Sequence, residues 1–136
     1  MALFYADASA LVKLVRQEPQ TAPLRTFLSG ADVISSELVL TEVPRAVQRA
    51  AFDDPRLPLD ALIAQADDVL QTLALLPIDR ALLLAAGALA EPTLRALDAI
   101  HIASAVAVLP IDGFVTYDDR QGAAARLAGL RTVAPG

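Results

Sequence analysis

The chain has 136 residues, of which 16 are acidic and 11 basic, giving a formal net charge of −5. It has no cysteine and one histidine, which excludes disulfide frameworks, thiol nucleophiles and Cys/His zinc sites. Any bound metal would therefore have oxygen ligands. The acidic charge argues against a protein that coats nucleic acid through bulk electrostatics, but it does not argue against a nuclease whose clustered acids bind a cation.

Length and hydropathy predict one domain over residues 1–136. Apolar residues make up 55% of the chain, and the mean hydropathy is +0.49. The longest uncharged apolar run, residues 81–90, is too short to span a bilayer and is predicted to be a buried helix. Because the amino terminus lacks the pattern of an export signal, we expect a cytoplasmic protein with no membrane segment.

Short apolar runs alternate with helical patterns along the chain. This alternation predicts an α/β fold, a three-layer sandwich in which helices cover both faces of a mostly parallel sheet of four to five strands. The strand of residues 75–78 contains a proline, which favours an edge position. Strands are predicted at residues 3–6, 32–35, 75–78, 114–117 and 131–133, and helices at residues 9–16, 20–28, from 36 onward, 60–73, 80–90, 97–108 and 119–127.

Asp7 follows the first strand directly and precedes a helical pattern. Sites of open α/β sheets lie at the carboxyl ends of strands, so Asp7 is a candidate site residue, although capping the next helix is an equal alternative. A phosphatase of the haloacid-dehalogenase kind would need a second acid two residues later. Ser9 occupies that position, which disfavours an aspartyl nucleophile.

Glu42 lies early in the helix that follows the second strand. Arg45 and Arg49 share its helix face, so an ordinary solvated acid–arginine pair is one interpretation and a site acid is the other. Pro44 is expected to bend this helix without breaking it. The stripe predicted to face the core consists of Leu40, Val43 and Val47.

Two further acids lie near predicted element ends. Asp98 opens an apolar helix, where burying a carboxylate costs several kcal/mol unless a cation or donors compensate it. Asp118 follows the fourth strand, with Asp119 as a rival for capping the next helix. His101 is interpreted as a satisfied core residue, with a role beside the site as the alternative. Asp79 is interpreted as a cap alone.

Four carboxylates at one sheet edge repel each other unless a divalent ion neutralises them. Oxygen ligands suit Mg²⁺ or Mn²⁺. Such an ion can orient a water molecule and offset charge on a phosphodiester without a protein nucleophile. The predicted ligands are Asp7, Glu42, Asp98 and Asp118.

Read together, four segments resemble the PIN domain, and more narrowly the VapC-type toxins of bacterial toxin–antitoxin pairs. The resemblance covers nearly the whole chain. Each segment is weakly specific alone, but their order and spacing are specific together. The segments are YADASALVK from Tyr5, LTEV from Leu40, LDAIHIASA from Leu97 and VTYD from Val115.

The resemblance implies a Mg²⁺- or Mn²⁺-dependent endoribonuclease with a strand order of 3-2-1-4-5. It implies Asp7 and Asp98 as the surest metal ligands, with Glu42 and Asp118 completing the set and Thr116 beside them. It also implies a homodimer and an antitoxin whose tail blocks the groove with a basic side chain. Arg45 and Arg49 are predicted to contact RNA phosphates, with ordinary arginines of a helix surface as an equal alternative. The alternative is a catalytically inactive PIN-like binding partner.

Overall fold

Five short strands form one parallel sheet in the order β3-β2-β1-β4-β5 in a computed structural model that describes residues 1–136. Every neighbouring pair is parallel, and Tyr5 of the central strand pairs with Ile34 on one side and Phe114 on the other. The predicted order and the edge position of the third strand are confirmed. The strands are β1 (Leu3–Ala6), β2 (Asp32–Ser36), β3 (Ala74–Leu76), β4 (Gly113–Val115) and β5 (Thr132–Val133).

Seven helices connect these strands and cover the sheet on both faces. Each predicted helix is present, with boundaries that differ by a few residues. The helices are α1 (Ala8–Val15), α2 (Thr21–Leu28), α3 (Val39–Asp53), α4 (Leu59–Gln71), α5 (Arg80–Gly87), α6 (Ala96–Ala107) and α7 (Asp119–Leu127).

Alternation along β1 divides the core between the two faces of the sheet. Phe4 and Ala6 pack with residues of α1, α3 and α4. Tyr5 points to the opposite face, where it packs with Phe114 and with residues of α6 and α7. The three-layer architecture is therefore confirmed, and Tyr5 connects the central strand to α6.

The helix α6 is buried along most of its length, as its nearly uniform apolar sequence predicts. Residues from Ala99 to Ala105 are buried or nearly so, and the helix packs against β2. Because α6 precedes β4 and runs back along the sheet, its first turn lies toward the carboxyl ends of the strands. This orientation places Asp98, in the first turn of α6, at the carboxyl edge of the sheet, where Asp7 follows β1.

Two burial predictions are wrong. The helix α5 is mostly exposed, and Leu83 and Leu84 are 48% and 64% exposed, because α5 lies outside α6 rather than against the sheet. Leu40 is also exposed. Since α3 begins at Val39, the residues that face the core recur every fourth position from there, and they are Val39, Val43 and Val47.

The helix α3 continues without a break through Pro44, as expected. The missing amide hydrogen of Pro44 falls near the start of the helix, so only one intrahelical hydrogen bond is lost. Glu42 therefore keeps a helical position in the first turn.

None of the helices is both long and apolar enough to cross a membrane.

Candidate active site

Asp7 is a buried carboxylate at the carboxyl end of the central strand, with only 4% of the residue exposed. Its Oδ1 accepts hydrogen bonds from Ser9 Oγ at 2.6 Å and from the Ala10 amide at 3.1 Å. Its Oδ2 accepts one from Thr116 Oγ1 at 2.6 Å. Asp7 thus caps α1, as one alternative predicted, and it is also held from the β4 side.

The charge of Asp7 has no cationic side chain to balance it, because none of the ion pairs in the chain includes this residue. Burial raises the pKa of the Asp7 carboxyl, and the hydrogen bonds from Ser9 and Thr116 offset part of that effect. A buried carboxylate whose donors are all neutral is the kind of group that a divalent cation stabilises.

Thr116 connects Asp7 to Asp118. Its hydroxyl donates to Asp7 and accepts a hydrogen bond from the Asp118 amide at 3.1 Å. The Asp118 carboxylate in turn accepts from the Gln121 amide at 3.0 Å, so Asp118 rather than Asp119 caps α7. The side-chain amide of Gln121 is buried without a hydrogen-bond partner.

Glu42 is held by the single histidine of the chain. His101 Nε2 lies 2.6 Å from Glu42 Oε1, and His101 Nδ1 lies 2.7 Å from the Tyr5 hydroxyl. The imidazole is 1% exposed, so its interpretation as a satisfied core residue is confirmed, but one of its partners is a predicted site acid. Burial is the main cause of the raised pKa of Tyr5, and the negative charges of Asp7 and Glu42 add to it.

Asp98 lies in the first turn of α6, where its side chain is 19% exposed. Its Oδ2 forms an ion pair with Arg95 Nε at 3.4 Å. Both residues line a cavity of about 300 Å³ together with Arg120 of α7. Two arginines therefore lie beside one of the predicted metal ligands, and sequence patterns did not single out either of them.

The four predicted acids fall into two groups. The strand cluster consists of Asp7, Ser9, Thr116 and Asp118, and the helix cluster consists of Glu42, Asp98 and His101. Tyr5 connects the two clusters, because it lies two residues before Asp7 on the central strand and its hydroxyl bonds to His101. No three acidic or histidine side chains are close enough to form a ready-made metal site. The donor set nevertheless suits a hard cation, because it consists of carboxylate and hydroxyl oxygens around an uncompensated buried charge.

The PIN domain family matches residues 4–127 of this chain. The chain belongs to the PIN domain family. Two relatives of this PIN domain from Mycobacterium tuberculosis, ribonuclease VapC47 and ribonuclease VapC46, are each 36% identical to it, with 98% and 99% of both chains covered. The narrower resemblance to VapC proteins is thereby confirmed as well.

Solved structures share the fold of this PIN domain at low sequence identity. VapC20 of Mycobacterium tuberculosis, described as a sarcin-ricin loop cleaving toxin, has a TM-score of 0.72 at 19% identity and covers 97% of this chain and 99% of its own. VapBC2 of Rickettsia felis, bound to a DNA fragment from its promoter, has a TM-score of 0.71 at 14% identity, with 98% and 99% covered.

The arginines predicted to contact RNA in this PIN domain lie on the surface of α3. Arg45 and Arg49 are exposed and form no ion pair. The roles of Ser9, which bonds to Asp7, and of Tyr5, which bonds to His101, were not predicted from the sequence. The spacing of Ser9 from Asp7 could have predicted their hydrogen bond, since a hydroxyl two residues after an acid at a strand end can donate to that acid. No local spacing predicts the bond of Tyr5, because its partner lies 96 residues away.

Proposed function

We propose that this PIN domain is a Mg²⁺- or Mn²⁺-dependent endoribonuclease and the toxin of a toxin–antitoxin pair. The observation that carries the proposal is Asp7, a buried carboxylate without a cationic partner at the carboxyl edge of a PIN sheet. The names of the VapC relatives support the ribonuclease activity. Because its substrate would be cytoplasmic RNA, we place the enzyme in the cytoplasm.

In this proposal Asp7 and Asp98 are the main metal ligands, and Glu42 and Asp118 complete the set. When bound, the cation would supply Lewis-acid polarisation of the phosphodiester and would make a water molecule more acidic. The protein itself would orient the carboxylates that bind the metal. Thr116 holds one oxygen of Asp7 and the backbone of Asp118 in place, so that both carboxylates are preorganised.

RNA binding requires cations near this acidic edge, because the phosphate backbone is repelled by carboxylates. Arg95 and Arg120 line the cavity that contains Asp98, so we propose that they contact the phosphates next to the scissile bond. Arg45 and Arg49 are exposed on the α3 face that carries Glu42, and we propose that they contact phosphates farther along the RNA.

We also propose that the toxin is a homodimer. The helix α5 exposes Leu83 and Leu84, and a largely apolar groove of about 500 Å³ runs between α5 and α6. An apolar surface of this kind is typical of a contact between subunits. Leu84→Arg should convert the dimer to a monomer in sedimentation velocity experiments. A wild-type protein that sediments as a monomer at micromolar concentration would contradict this part of the proposal.

The antitoxin is the remaining proposed partner. The carboxylates at this edge of the sheet would bind a basic side chain from an antitoxin tail, which would compete with the metal. Expression of this chain alone should arrest bacterial growth, and co-expression of its antitoxin should restore growth. Equal growth with and without the chain would argue against a toxin.

Cleavage of RNA by the free protein tests the enzymatic activity directly. The purified protein should cleave RNA in the presence of Mg²⁺ or Mn²⁺, and EDTA should stop the cleavage. Asp118→Asn should reduce cleavage strongly, whereas Asp119→Asn, the matched control at the exposed neighbouring position, should keep it. If neither metal supports cleavage and calorimetry detects no metal binding, the chain is instead a catalytically inactive PIN-like binding partner.

A further inference from the structure

A chain of three side chains runs from the core to the site edge. It begins at the Tyr5 hydroxyl, passes through the His101 imidazole and ends at Glu42 Oε1, with distances of 2.7 and 2.6 Å. Tyr5 and His101 are 0% and 1% exposed. Water therefore has little access to the two inner members, and each must find its hydrogen-bond partner within the protein.

The donors and acceptors of this chain allow one consistent arrangement for a neutral imidazole. Glu42 as a carboxylate can only accept, so His101 Nε2 must carry the hydrogen that it shares with Oε1. His101 Nδ1 is then an acceptor. The Tyr5 hydroxyl lies 2.7 Å from Nδ1 and has a hydrogen to donate to it.

Glu42 depends on this contact for its orientation. Its side chain lies on the partly exposed face of α3 and has no other hydrogen-bond partner in the protein. A glutamate side chain loses considerable rotamer freedom when it is fixed in one conformation. The contact from His101 uses Oε1 and leaves Oε2 free to face a ligand.

We propose that Tyr5 and His101 are positioning residues that fix the orientation of Glu42 for metal binding. Glu42 fixes the His101 tautomer, Tyr5 holds the imidazole by donating to Nδ1, and His101 in turn holds the Glu42 carboxylate. The inference rests on the proposed function, because it assigns the metal as the ligand of Glu42. It adds two residues that make no contact with the metal or the RNA.

The tautomer can be measured without metal or substrate. His101 is the only histidine, so protein with ¹⁵N-labelled histidine gives the ring signals of a single residue. Long-range ¹H–¹⁵N spectra in EDTA should show the proton on Nε2 and an unprotonated Nδ1. A proton on Nδ1, on both nitrogens, or a mixture of tautomers in the wild type would overturn the proposal.

Tyr5→Phe tests the inner part of the chain with little risk to folding. The Tyr5 ring stacks on Phe114, with centroids 5.2 Å apart and planes 6° apart, and phenylalanine preserves that contact. The variant should keep the proton on Nε2, shift the ¹⁵N signal of Nδ1 because that nitrogen loses its hydrogen bond, and bind Mn²⁺ about 10-fold more weakly in calorimetry. The control is Tyr117→Phe, which removes the only other tyrosine hydroxyl, one that donates to the Pro135 carbonyl. The control should keep both wild-type values.

His101→Gln and His101→Leu test the outer part. Glutamine can still donate a hydrogen bond to Glu42, so it should retain most of the Mn²⁺ affinity, whereas leucine should lose at least as much as Tyr5→Phe. Thermal unfolding would show whether each variant folds. Equal Mn²⁺ affinity of the wild type, Tyr5→Phe and His101→Leu would overturn the positioning role, whereas a wild type that binds no Mn²⁺ would overturn the proposed function instead.

Discussion

The strand cluster and the helix cluster hold their acids in different ways. In the strand cluster Asp7 is buried and receives hydrogen bonds from two hydroxyls and one amide, all of them neutral. In the helix cluster Glu42 and Asp98 are partly exposed and contact ionisable side chains, His101 and Arg95. The charge of Asp7 is costly to bury, but its side chain is fixed by hydrogen bonds. The acids of the helix cluster cost less to ionise, and they need partner side chains to fix their orientation.

The difference predicts separate roles within the proposed metal site. A rigid, desolvated carboxylate favours a divalent cation strongly, because the cation removes the cost of its burial. In the proposed function, the partly exposed carboxylates on two helices would adjust to the cation and to the RNA. The same kind of substitution should therefore have different effects in the strand cluster and in the helix cluster.

Replacing the main acids should give the largest effects. Asp7→Asn and Asp98→Asn should each reduce metal-dependent RNA cleavage by at least about 1,000-fold, more than is typical for residues behind the ligands. Their effects on stability should differ. In EDTA at pH 7, Asp7→Asn should raise the melting temperature, because it removes a buried charge.

Asp98→Asn should change the stability by only about 0.5 kcal/mol, because Arg95, its partner in the ion pair, is 69% exposed. Differential scanning fluorimetry beside the cleavage assay would compare the two variants. A lower melting temperature for Asp7→Asn would contradict the electrostatic difference between the clusters.

Removing the hydroxyl that joins Asp7 to Asp118 should give the next largest effect. Thr116→Val should reduce cleavage by about 10- to 100-fold, since Asp7 loses the donor on Oδ2 and the Asp118 amide loses its acceptor. Thr116→Ser keeps the hydroxyl and should remain within a few-fold of the wild type. Single-turnover cleavage rates would measure both, and equal rates for the two variants would rule out a role of the hydroxyl.

Neutralising arginines should give smaller, salt-dependent effects. Arg120→Gln should raise the KM for RNA by several-fold, because Arg120 lines the cavity beside Asp98. Arg45→Gln should have a weaker effect, since Arg45 does not line that cavity. Cleavage measured at several salt concentrations would separate the two. A larger effect of Arg45→Gln would reverse the assignment of the phosphate contacts.

The smallest effect should be on the pH dependence of stability without metal. The folded-state pKa of Asp7 is raised by burial, so folding favours its protonated form. The resulting contribution to the free energy of unfolding is fully present below the pKa that the aspartate has in the unfolded chain. It is lost as the pH rises through the pKa that Asp7 has in the folded protein. The stability of the wild type relative to Asp7→Asn should therefore fall from acid to neutral pH, as measured by urea unfolding in EDTA. A constant difference would contradict the raised pKa.

Several of these features could be predicted from local patterns. The strand ending at Ala6 followed by an acid, and the alternation of strands and helices, indicated both the sheet and the place of Asp7. Asp118 was predicted from its position after the fourth strand, whereas the place of Thr116 beside the site was implied only by the resemblance to the PIN domain. Whether these acids bind a metal stays a prediction.

The wrong predictions share a physical cause. The helix α5 is very apolar, yet it lies outside α6, so hydropathy alone did not decide its burial. Leu40 and Val39 are adjacent apolar residues, and only the start of α3 determines which one faces the core. Each depends on a position relative to neighbouring elements, which a local pattern does not contain.

The sequence by itself determined the order of elements, the absence of sulfur and imidazole ligand sets, and the acids at strand and helix ends. These follow from periodicity and composition, which act over a few residues. Only the tertiary structure decided which partners those acids have: Thr116 for Asp7 across 109 positions and His101 for Glu42 across 59. Such contacts depend on the packing of whole layers against each other, because that packing alone brings distant residues within hydrogen-bonding distance.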